Sequence, residues 1–193
     1  MGTREKILRA AFRLLERTGE AQFSTRAVCT AAKITAPTLY HHFGSADGLL
    51  SAMVAEGFRQ LLESKKVAER SSDAEAALRA GWDNYVGFAA ERPRLYAAML
   101  ARFLQGANIS ATDEAFALLG RQIAALESEG RLAIAAPEAA SVMWAAANAA
   151  ALLYVAAPLA AATHLLVPAP EIIEGLRDQA MARICKPRTR DDA

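Results

Sequence analysis

The stretch from Ser24 to Phe43, reading STRAVCTAAKITAPTLYHHF, constrains the fold of this chain more than any other part. It predicts two short helices joined by a tight turn. Ser24 is a preferred N-cap residue for the first of these helices, and Thr35 is one for the second. Pro37 falls in the first turn of the second helix, where its missing N–H group costs nothing.

The two predicted helices have an apolar side and a free side. The apolar set consists of Val28, Cys29, Ala32, Ile34, Leu39 and Phe43. Its small members allow the two helices to cross closely. The residues left outward on the second helix are Ala36, Pro37, Thr38, Tyr40, His41 and His42. A short helix with hydroxyls, rings and imidazoles on its free side suits the major groove of DNA, which admits one α-helix and displays hydrogen-bonding edges.

This stretch resembles the helix-turn-helix of the TetR family of transcriptional repressors. The family's T-L-Y-x-H-F core is intact from Thr38. Further matching positions are Ser24, Arg26, Val28, Ala31, Ile34, Ser45, Asp47 and Leu49. The resemblance implies an all-α protein with a three-helix DNA-binding head. It also implies three segments: a helix-turn-helix domain at 1–61, a ligand-binding and dimerisation domain at 62–187, and a charged tail at 188–193.

The resemblance assigns roles to residues of the helix-turn-helix. The positions similar to phosphate contacts are Thr25, Tyr40 and His42. The positions similar to those facing bases are Arg26, Ala36, Pro37, Thr38 and His41. Together these eight residues form the predicted DNA-binding set.

Two positions depart from the family pattern. Lys33 stands in the turn where the family usually has glycine, and a non-glycine residue with positive φ costs about 1 kcal/mol. Ala46 stands where the family often has a lysine that contacts phosphate. The same turn is expected, with slight strain and without that lysine contact.

Charge is distributed unevenly along the 193 residues. Residues 1–44 hold seven basic and three acidic residues, a net charge of +4, and the remainder holds 15 basic and 18 acidic residues, a net charge of −3. A basic head on a mildly acidic body fits a nucleic-acid contact at one end. The two cysteines, Cys29 and Cys185, lie in different predicted regions, which favours reduced thiols and a cytoplasmic location.

Apolar periodicity predicts about nine helices and no strand of any length. Besides the two helices above, they run from about Thr3 to Arg17, from Ser45, from near Asp73, from Pro93, from about Thr112 to Gly130, from Pro137 to about Ala157, and from Pro170 to Cys185. The first helix carries a basic stripe of Lys6, Arg9, Arg13 and Arg17. That stripe is either a solvated face or, near its start, a source of phosphate contacts through Arg4 or Lys6.

The run from Ala139 to Pro170 contains no Asp, Glu, Lys or Arg. A membrane span is the first hypothesis for such a run. Pro158 interrupts it, alanine dominates it, and it lacks aromatic and basic flanks, so we favour a protein interface. The last two predicted helices are then expected to form a four-helix contact with a second copy of the chain.

Aromatic residues and methionine recur at helical spacing in the body. The set is Trp82, Tyr85, Met99, Phe103, Phe116 and Trp144. Such residues form a plain core or line a ligand cavity, and the family resemblance favours a cavity for a hydrophobic or amphipathic ligand. Asn148 and His164 are the polar groups placed either to orient a ligand or to satisfy a subunit contact.

Enzyme motifs are missing from the sequence, which has no G-x-S-x-G, phosphate loop or H-E-x-x-H. His41 and His42 point about 100° apart on a helix and do not suit one metal ion. We therefore predict neither catalysis nor a cofactor. The predicted function is a sequence-specific DNA-binding regulator, a repressor released from a palindromic operator by a small hydrophobic ligand. The alternative is a helical protein–protein adaptor whose basic head is only a solvated face.

Overall fold

The computed structural model describes residues 2–19, 23–68, 73–106, 110–158 and 168–187, with the backbone alone for 64–68 and 110–112. These ranges contain nine helices and no strand. The helices are α1 (Thr3–Thr18), α2 (Thr25–Ala32), α3 (Ala36–Phe43), α4 (Ala46–Ala68), α5 (Ala74–Glu91), α6 (Pro93–Leu104), α7 (Ser110–Ser128), α8 (Ala136–Ala156) and α9 (Pro170–Ile184). The all-α prediction is therefore confirmed. The predicted tail at 188–193 and His164 lie outside the described residues.

The chain divides into two compact units. The first comprises residues 1–60 and 92–111, and the second comprises 61–91 and 112–193. The first change of unit falls within α4, next to the predicted domain boundary at residues 61 and 62. The first unit also includes α6, which is far from the head in sequence. The predicted division at residues 1–61 and 62–187 stays a prediction.

The first unit is built on the apolar face of α1, which packs against α2 and α6. Its buried residues are Ile7, Leu8, Ala10, Ala11, Leu14 and Leu15. Leu15 and Ile7 are fully buried. Gly19 ends α1 with a positive φ of 74°, a conformation that glycine adopts without steric cost.

Side-chain contacts with both α1 and α4 hold α6 in the first unit. The Glu16 carboxylate accepts hydrogen bonds from the backbone N–H groups of Leu95, at 2.8 Å, and Arg94, at 3.4 Å. Gly57 on α4 permits close approach, because a Cβ atom there would lie 2.7 Å from the Met99 sulfur. Arg102 on α6 also forms an ion pair with Asp47 on α4.

The second unit packs α8 against both α5 and α9. Its core residues include Leu78, Trp82, Val86, Ile123, Leu126, Met143, Ala147, Ile173, Met181 and Ile184. Ion pairs join α5 to α9 through Arg79 and Asp178, 2.6 Å apart, and through Arg177 and Asp83, 2.9 Å apart. These pairs are partly or largely exposed to solvent, so each contributes little to stability.

The segment after α7 pairs with the end of α9. Gly130 closes α7 with φ of 68°, as predicted. The Ala133 N–H donates to the Ile184 carbonyl oxygen at 2.8 Å, and the Lys186 N–H donates to the Arg131 carbonyl oxygen at 2.8 Å. Burial raises the pKa of the neighbouring Cys185 thiol, which is therefore protonated at neutral pH.

Helix α8 is long and apolar enough to cross a membrane by length and composition, with a mean hydropathy of 1.5 in its most apolar window. A single helix of this kind is weak evidence for a membrane span, because core helices pass the same test. Only 33% of that window is buried within the chain. Leu152 on α8 and Ile172 on α9 are 44% and 49% exposed.

Candidate nucleic-acid interface and effector cavity

Helix α2 is fixed at both ends by local hydrogen bonds. The Ser24 hydroxyl oxygen accepts from the Ala27 N–H at 3.2 Å, which is the predicted N-cap. At the other end Lys33 has φ of 52° and ψ of 54°, in the left-handed region predicted for it. The Ile34 N–H donates across this turn to the Cys29 carbonyl oxygen at 3.0 Å. The turn is thus of the expected kind, although it lacks glycine.

The cap of α3 differs from the prediction. Thr35 occupies the N-cap position, but its side chain makes no capping hydrogen bond to the backbone. Its hydroxyl instead lies 2.9 Å from the Thr38 hydroxyl. The prediction of a Thr35 side-chain cap is wrong, because an adjacent hydroxyl one turn away competes for the same oxygen. Backbone geometry and Pro37 in the first turn are sufficient to start the helix.

Helix α3 divides clearly into an inner and an outer side. Leu39 is fully buried, whereas Tyr40 is 44% exposed and His41 is also exposed. Among the remaining predicted contact residues, Ala36 and Pro37 are exposed. The helix is therefore anchored through Leu39 and presents its other side to solvent.

Two predicted phosphate contacts lie side by side. The Thr25 hydroxyl at the start of α2 is 3.5 Å from the Tyr40 hydroxyl on α3. A shallow depression surrounds them, lined by Thr25, Arg26, Cys29, Thr30, Lys33, Ile34, Thr35, Ala36 and Tyr40. Hydroxyl groups and two cations meet there, which is the chemistry that contacts phosphate oxygens.

Thr38 and His42 are only partly exposed. Both side chains are half-buried, and the His42 ring packs edge-on to His41 with ring centroids 5.3 Å apart. Among the described residues no group of three or more His, Cys, Asp or Glu side chains is arranged to hold a metal ion. The outer side of α3 therefore offers hydrogen-bonding rings and hydroxyls.

Two cations near the helix-turn-helix lie outside the predicted set of eight DNA-binding residues, although Arg4 was considered as a phosphate contact. Lys33 was treated only as a turn residue, yet it lies in the depression with Arg26. The Arg4 guanidinium lies 5.4 Å from the centroid of the Phe43 ring, at the end of α3, a cation–π contact. The Arg4–Phe43 contact and the place of Lys33 in the depression could not be predicted from spacing alone, because both depend on the fold.

An acid also lies near Arg4. A hydrogen bond from Arg59 lowers the pKa of the Glu56 carboxyl on α4, and the charge of Arg4 contributes further. Glu56 is therefore ionised at neutral pH. Its negative charge partly offsets the positive charge at the start of α1.

The second unit contains a cavity among α5, α7 and α8 of about 40 Å³. Its lining residues are Leu78, Gly81, Trp82, Tyr85, Leu119, Gln122, Met143, Trp144 and Ala147. Trp82, Tyr85 and Trp144 of the predicted ligand set are thus brought together. Sequence reasoning missed Gln122 and Met143, since a single polar or apolar residue on a helix carries no signal of a cavity.

The other predicted ligand residues lie elsewhere. Phe116 is 40% exposed and its ring lies 6.4 Å from the Trp144 ring, beside the cavity. Asn148 is buried, accepts a hydrogen bond from the Tyr85 hydroxyl at 3.1 Å and donates to the Trp144 carbonyl oxygen at 2.8 Å. Met99 and Phe103 are on α6, in the first unit, and are not lining residues of this cavity.

Sequence comparison finds relatives for part of the chain, and structural comparison finds relatives for almost all of it. Residues 7–53 match the family model described as bacterial regulatory proteins, tetR family. A stretch of 71 residues is 32% identical to the HTH-type transcriptional regulator BetI of Stenotrophomonas maltophilia (strain R551-3). That match covers 37% of this chain and 35% of the length of the relative.

Solved structures match almost the whole chain. A protein of unknown function from Rhodococcus sp. RHA1 has a TM-score of 0.78 and 23% identity, over 96% of this chain and 97% of its own. A TetR family transcription regulator from Marinobacter aquaeolei VT8 has a TM-score of 0.71 and 19% identity, over 96% of each chain. At these identities the likeness shows a shared fold. Residues 7–53 thus resemble the tetR family of regulatory proteins, and the whole chain shares its fold with these solved structures.

Proposed function

We propose that this protein is a homodimeric, cytoplasmic transcription regulator that represses its target genes and is released from DNA by a small hydrophobic ligand. The observation that carries the proposal is the two-sided build of α3, with Leu39 fully buried and Tyr40 and His41 exposed. A recognition helix needs a rigid inner anchor and a free outer side. The proposal assigns no catalytic step to the chain.

The outer surface of α2 and α3 is the proposed DNA contact. Thr25, Tyr40 and His42 bind phosphates, and the pair of hydroxyls 3.5 Å apart supports this role for the first two. The residues proposed to face bases are Arg26, Ala36, Pro37, Thr38 and His41. Phosphate contacts position the protein on the duplex, and base contacts select the sequence.

The proposed dimer forms through α8 and α9. Its support is the low buried share of the α8 window and the exposed Leu152 and Ile172 side chains. Association with a second copy removes such apolar surface from water. Two-fold symmetry then requires a palindromic operator.

Ligand release is proposed to run through α4, which is one continuous helix from residue 46 to residue 68. It begins directly after the recognition helix and continues into the second unit, which contains the cavity. A coupling of about 1 to 3 kcal/mol, or about 5- to 150-fold in affinity, is sufficient. Linkage requires DNA to weaken ligand binding by the same factor as the ligand weakens DNA binding.

The experiment begins with duplexes that the purified protein selects from a random pool. Wild-type affinity for the selected palindrome should fall steeply as salt rises, because bound phosphates release counterions. Tyr40→Ala should weaken binding to all duplexes. His41→Ala should instead cost about 1 to 3 kcal/mol at one base pair and change the preferred sequence.

Ser128→Ala, an exposed change at the end of α7 and outside the proposed DNA surface and dimer interface, serves as a matched control that should leave both measurements unchanged. Intact affinity in both Tyr40→Ala and His41→Ala would contradict the placement of the recognition surface. Failure to enrich any sequence, with no salt-dependent binding, would favour the protein–protein adaptor instead.

A further inference from the structure

Trp82 on α5 has a buried polar atom without a partner. The residue is 4% exposed, and its indole Nε1–H makes no hydrogen bond. A buried donor left without an acceptor destabilises the folded state, so native proteins rarely retain one. Trp82 also lines the cavity among α5, α7 and α8. An acceptor supplied by a bound molecule would remove this cost.

Other polar groups at the cavity already have partners inside the chain. The Tyr85 hydroxyl donates to Asn148 Oδ1 at 3.1 Å. The Gln122 Nε2 atom donates to the Ala77 carbonyl oxygen at 3.2 Å. These two donors are therefore engaged, whereas the Trp82 N–H is not.

The uncharged lining of the cavity favours a neutral ligand. None of its nine lining residues is a Lys, Arg, His, Asp or Glu. An ionised carboxylate or phosphate buried there would lose its hydration without gaining a counter-charge, which costs many kcal/mol. A carbonyl or ether oxygen accepts a hydrogen bond from an indole N–H without that cost.

The cavity is large enough for only one end of a ligand. Its volume is about 40 Å³. An engineered apolar cavity that binds benzene is about 150 Å³, so this cavity has room for a small polar group and not for a whole ligand. An apolar body can lie against Phe116, which is 40% exposed and packs beside Trp144 at the cavity.

We propose that this cavity binds a neutral, largely apolar molecule through one carbonyl or ether oxygen that accepts a hydrogen bond from Trp82 Nε1–H. The apolar part of the molecule packs on Phe116 and Trp144. This inference rests on the proposed function, in which a small hydrophobic ligand is the effector. It narrows that ligand to neutral compounds with an oxygen acceptor and excludes ionised acids.

The two tryptophans make the test direct. The chain contains two tryptophans, and both line the cavity. An indole ¹⁵N–¹H spectrum therefore has two signals, and the spectrum of Trp144→Phe assigns them. The probes are heptan-2-one, heptane and hexanoate. Heptan-2-one should move the Trp82 N–H signal to higher proton frequency, heptane should not, and hexanoate should bind at least about tenfold more weakly than the ketone.

Trp82→Phe provides the matched variant, because phenylalanine keeps an aromatic ring and removes the N–H. Its affinity for heptan-2-one should fall by about 2- to 10-fold, the range for one net hydrogen bond. Its affinity for heptane should change much less. Thermal unfolding of the variant checks that the second unit remains folded, and the wild-type spectrum gives a readout that needs no variant.

Several outcomes would overturn the inference. They are an unmoved Trp82 signal at saturating ketone, an equal loss of ketone and heptane affinity in Trp82→Phe, tighter binding of hexanoate than of ketone, or no ketone binding up to its solubility limit. Binding to the selected duplex is measured separately on the same wild-type protein. A protein that binds duplex but fails the ligand tests loses this inference and keeps the proposed DNA-binding function.

Discussion

Lys33 has both a left-handed backbone and a positive charge. The family that this stretch resembles usually has glycine at this position, which adopts the same backbone without a charge. The φ of Lys33 is 52°, and it is the one residue other than glycine with positive φ in the described part of the chain. Glycine removes the steric cost of that conformation, whereas alanine retains it. Both substitutions remove the cation from the depression around Thr25 and Tyr40.

We expect Lys33→Gly to be about 1 kcal/mol more stable than Lys33→Ala in urea unfolding, because only alanine keeps the Cβ clash. Both variants should lose similar DNA affinity, with a salt slope reduced by about one. Arg121→Ala, which removes a cation from α7, is the control for net charge. Wild-type salt slopes in both Lys33 variants would mean that Lys33 makes no phosphate contact.

Residues whose roles depend on near neighbours in sequence were predictable. The Ser24 cap and the left-handed turn at Lys33 each involve atoms within four residues. The prediction of a Thr35 side-chain cap was wrong, because N-cap propensity does not take account of the Thr38 hydroxyl, which lies 2.9 Å from the Thr35 hydroxyl. The unpartnered Trp82 N–H was not predictable, since it depends on what α7 and α8 place around it.

At the scale of elements, α6 shows how one side chain fixes the position of a helix. Glu16 on α1 accepts hydrogen bonds from two N–H groups in the first turn of α6, an end that Arg92 does not cap with its side chain. A carboxylate there also interacts favourably with the positive end of the helix. It thereby replaces a local N-cap with a residue nearly 80 positions away.

Glu16→Ala should cost about 1 to 2 kcal/mol in unfolding free energy, because two donors lose their acceptor. Glu16→Gln keeps an oxygen acceptor and should cost less. The Leu95 amide should also exchange with deuterium faster in Glu16→Ala than in wild type. Glu5→Ala, which breaks an exposed ion pair with Arg9 on the same helix, is the control and should cost at most about 0.5 kcal/mol. A Glu16→Ala effect no larger than that of Glu5→Ala would contradict the capping role.

The existence of the helices was predictable from apolar periodicity and from the residues that start and end helices. Which helices pack together was not predictable. Pro93 and Pro170 each start a helix where expected, because proline is tolerated at N1. The sequence did not indicate that α6 packs with α1, since that contact joins residues far apart and depends on Glu16 and Gly57. Met99 and Phe103 were therefore grouped with a cavity that they do not line.

At the scale of the whole molecule, the proposed dimer depends on the apolar surface of α8 and α9. Leu152→Glu places a charge on the proposed interface, where burial costs several kcal/mol. We expect the dimer dissociation constant to rise by about 100-fold or more, so that light scattering reports a monomer at micromolar concentration. Leu104→Glu is the matched control, because Leu104 is 69% exposed on α6 and lies outside the proposed interface. A wild-type monomer, or an intact dimer in Leu152→Glu, would contradict this interface.

The proposed dimer also limits which DNA sites can be bound. Two recognition helices related by a two-fold axis contact half-sites on one side of the duplex, and one helical turn is about 10 to 10.5 base pairs. Inserting five base pairs between the half-sites rotates one of them by about half a turn to the opposite side. Only one α3 helix can then contact its half-site, and the affinity gained from simultaneous contact is lost. Wild-type affinity for the selected palindrome should therefore fall by about 100-fold on this insertion. The Leu152→Glu monomer should bind both duplexes weakly and equally, since it has one α3 helix in either case. Equal wild-type affinity for the two duplexes would mean that the protein reads DNA as a monomer, even if it is a dimer in solution.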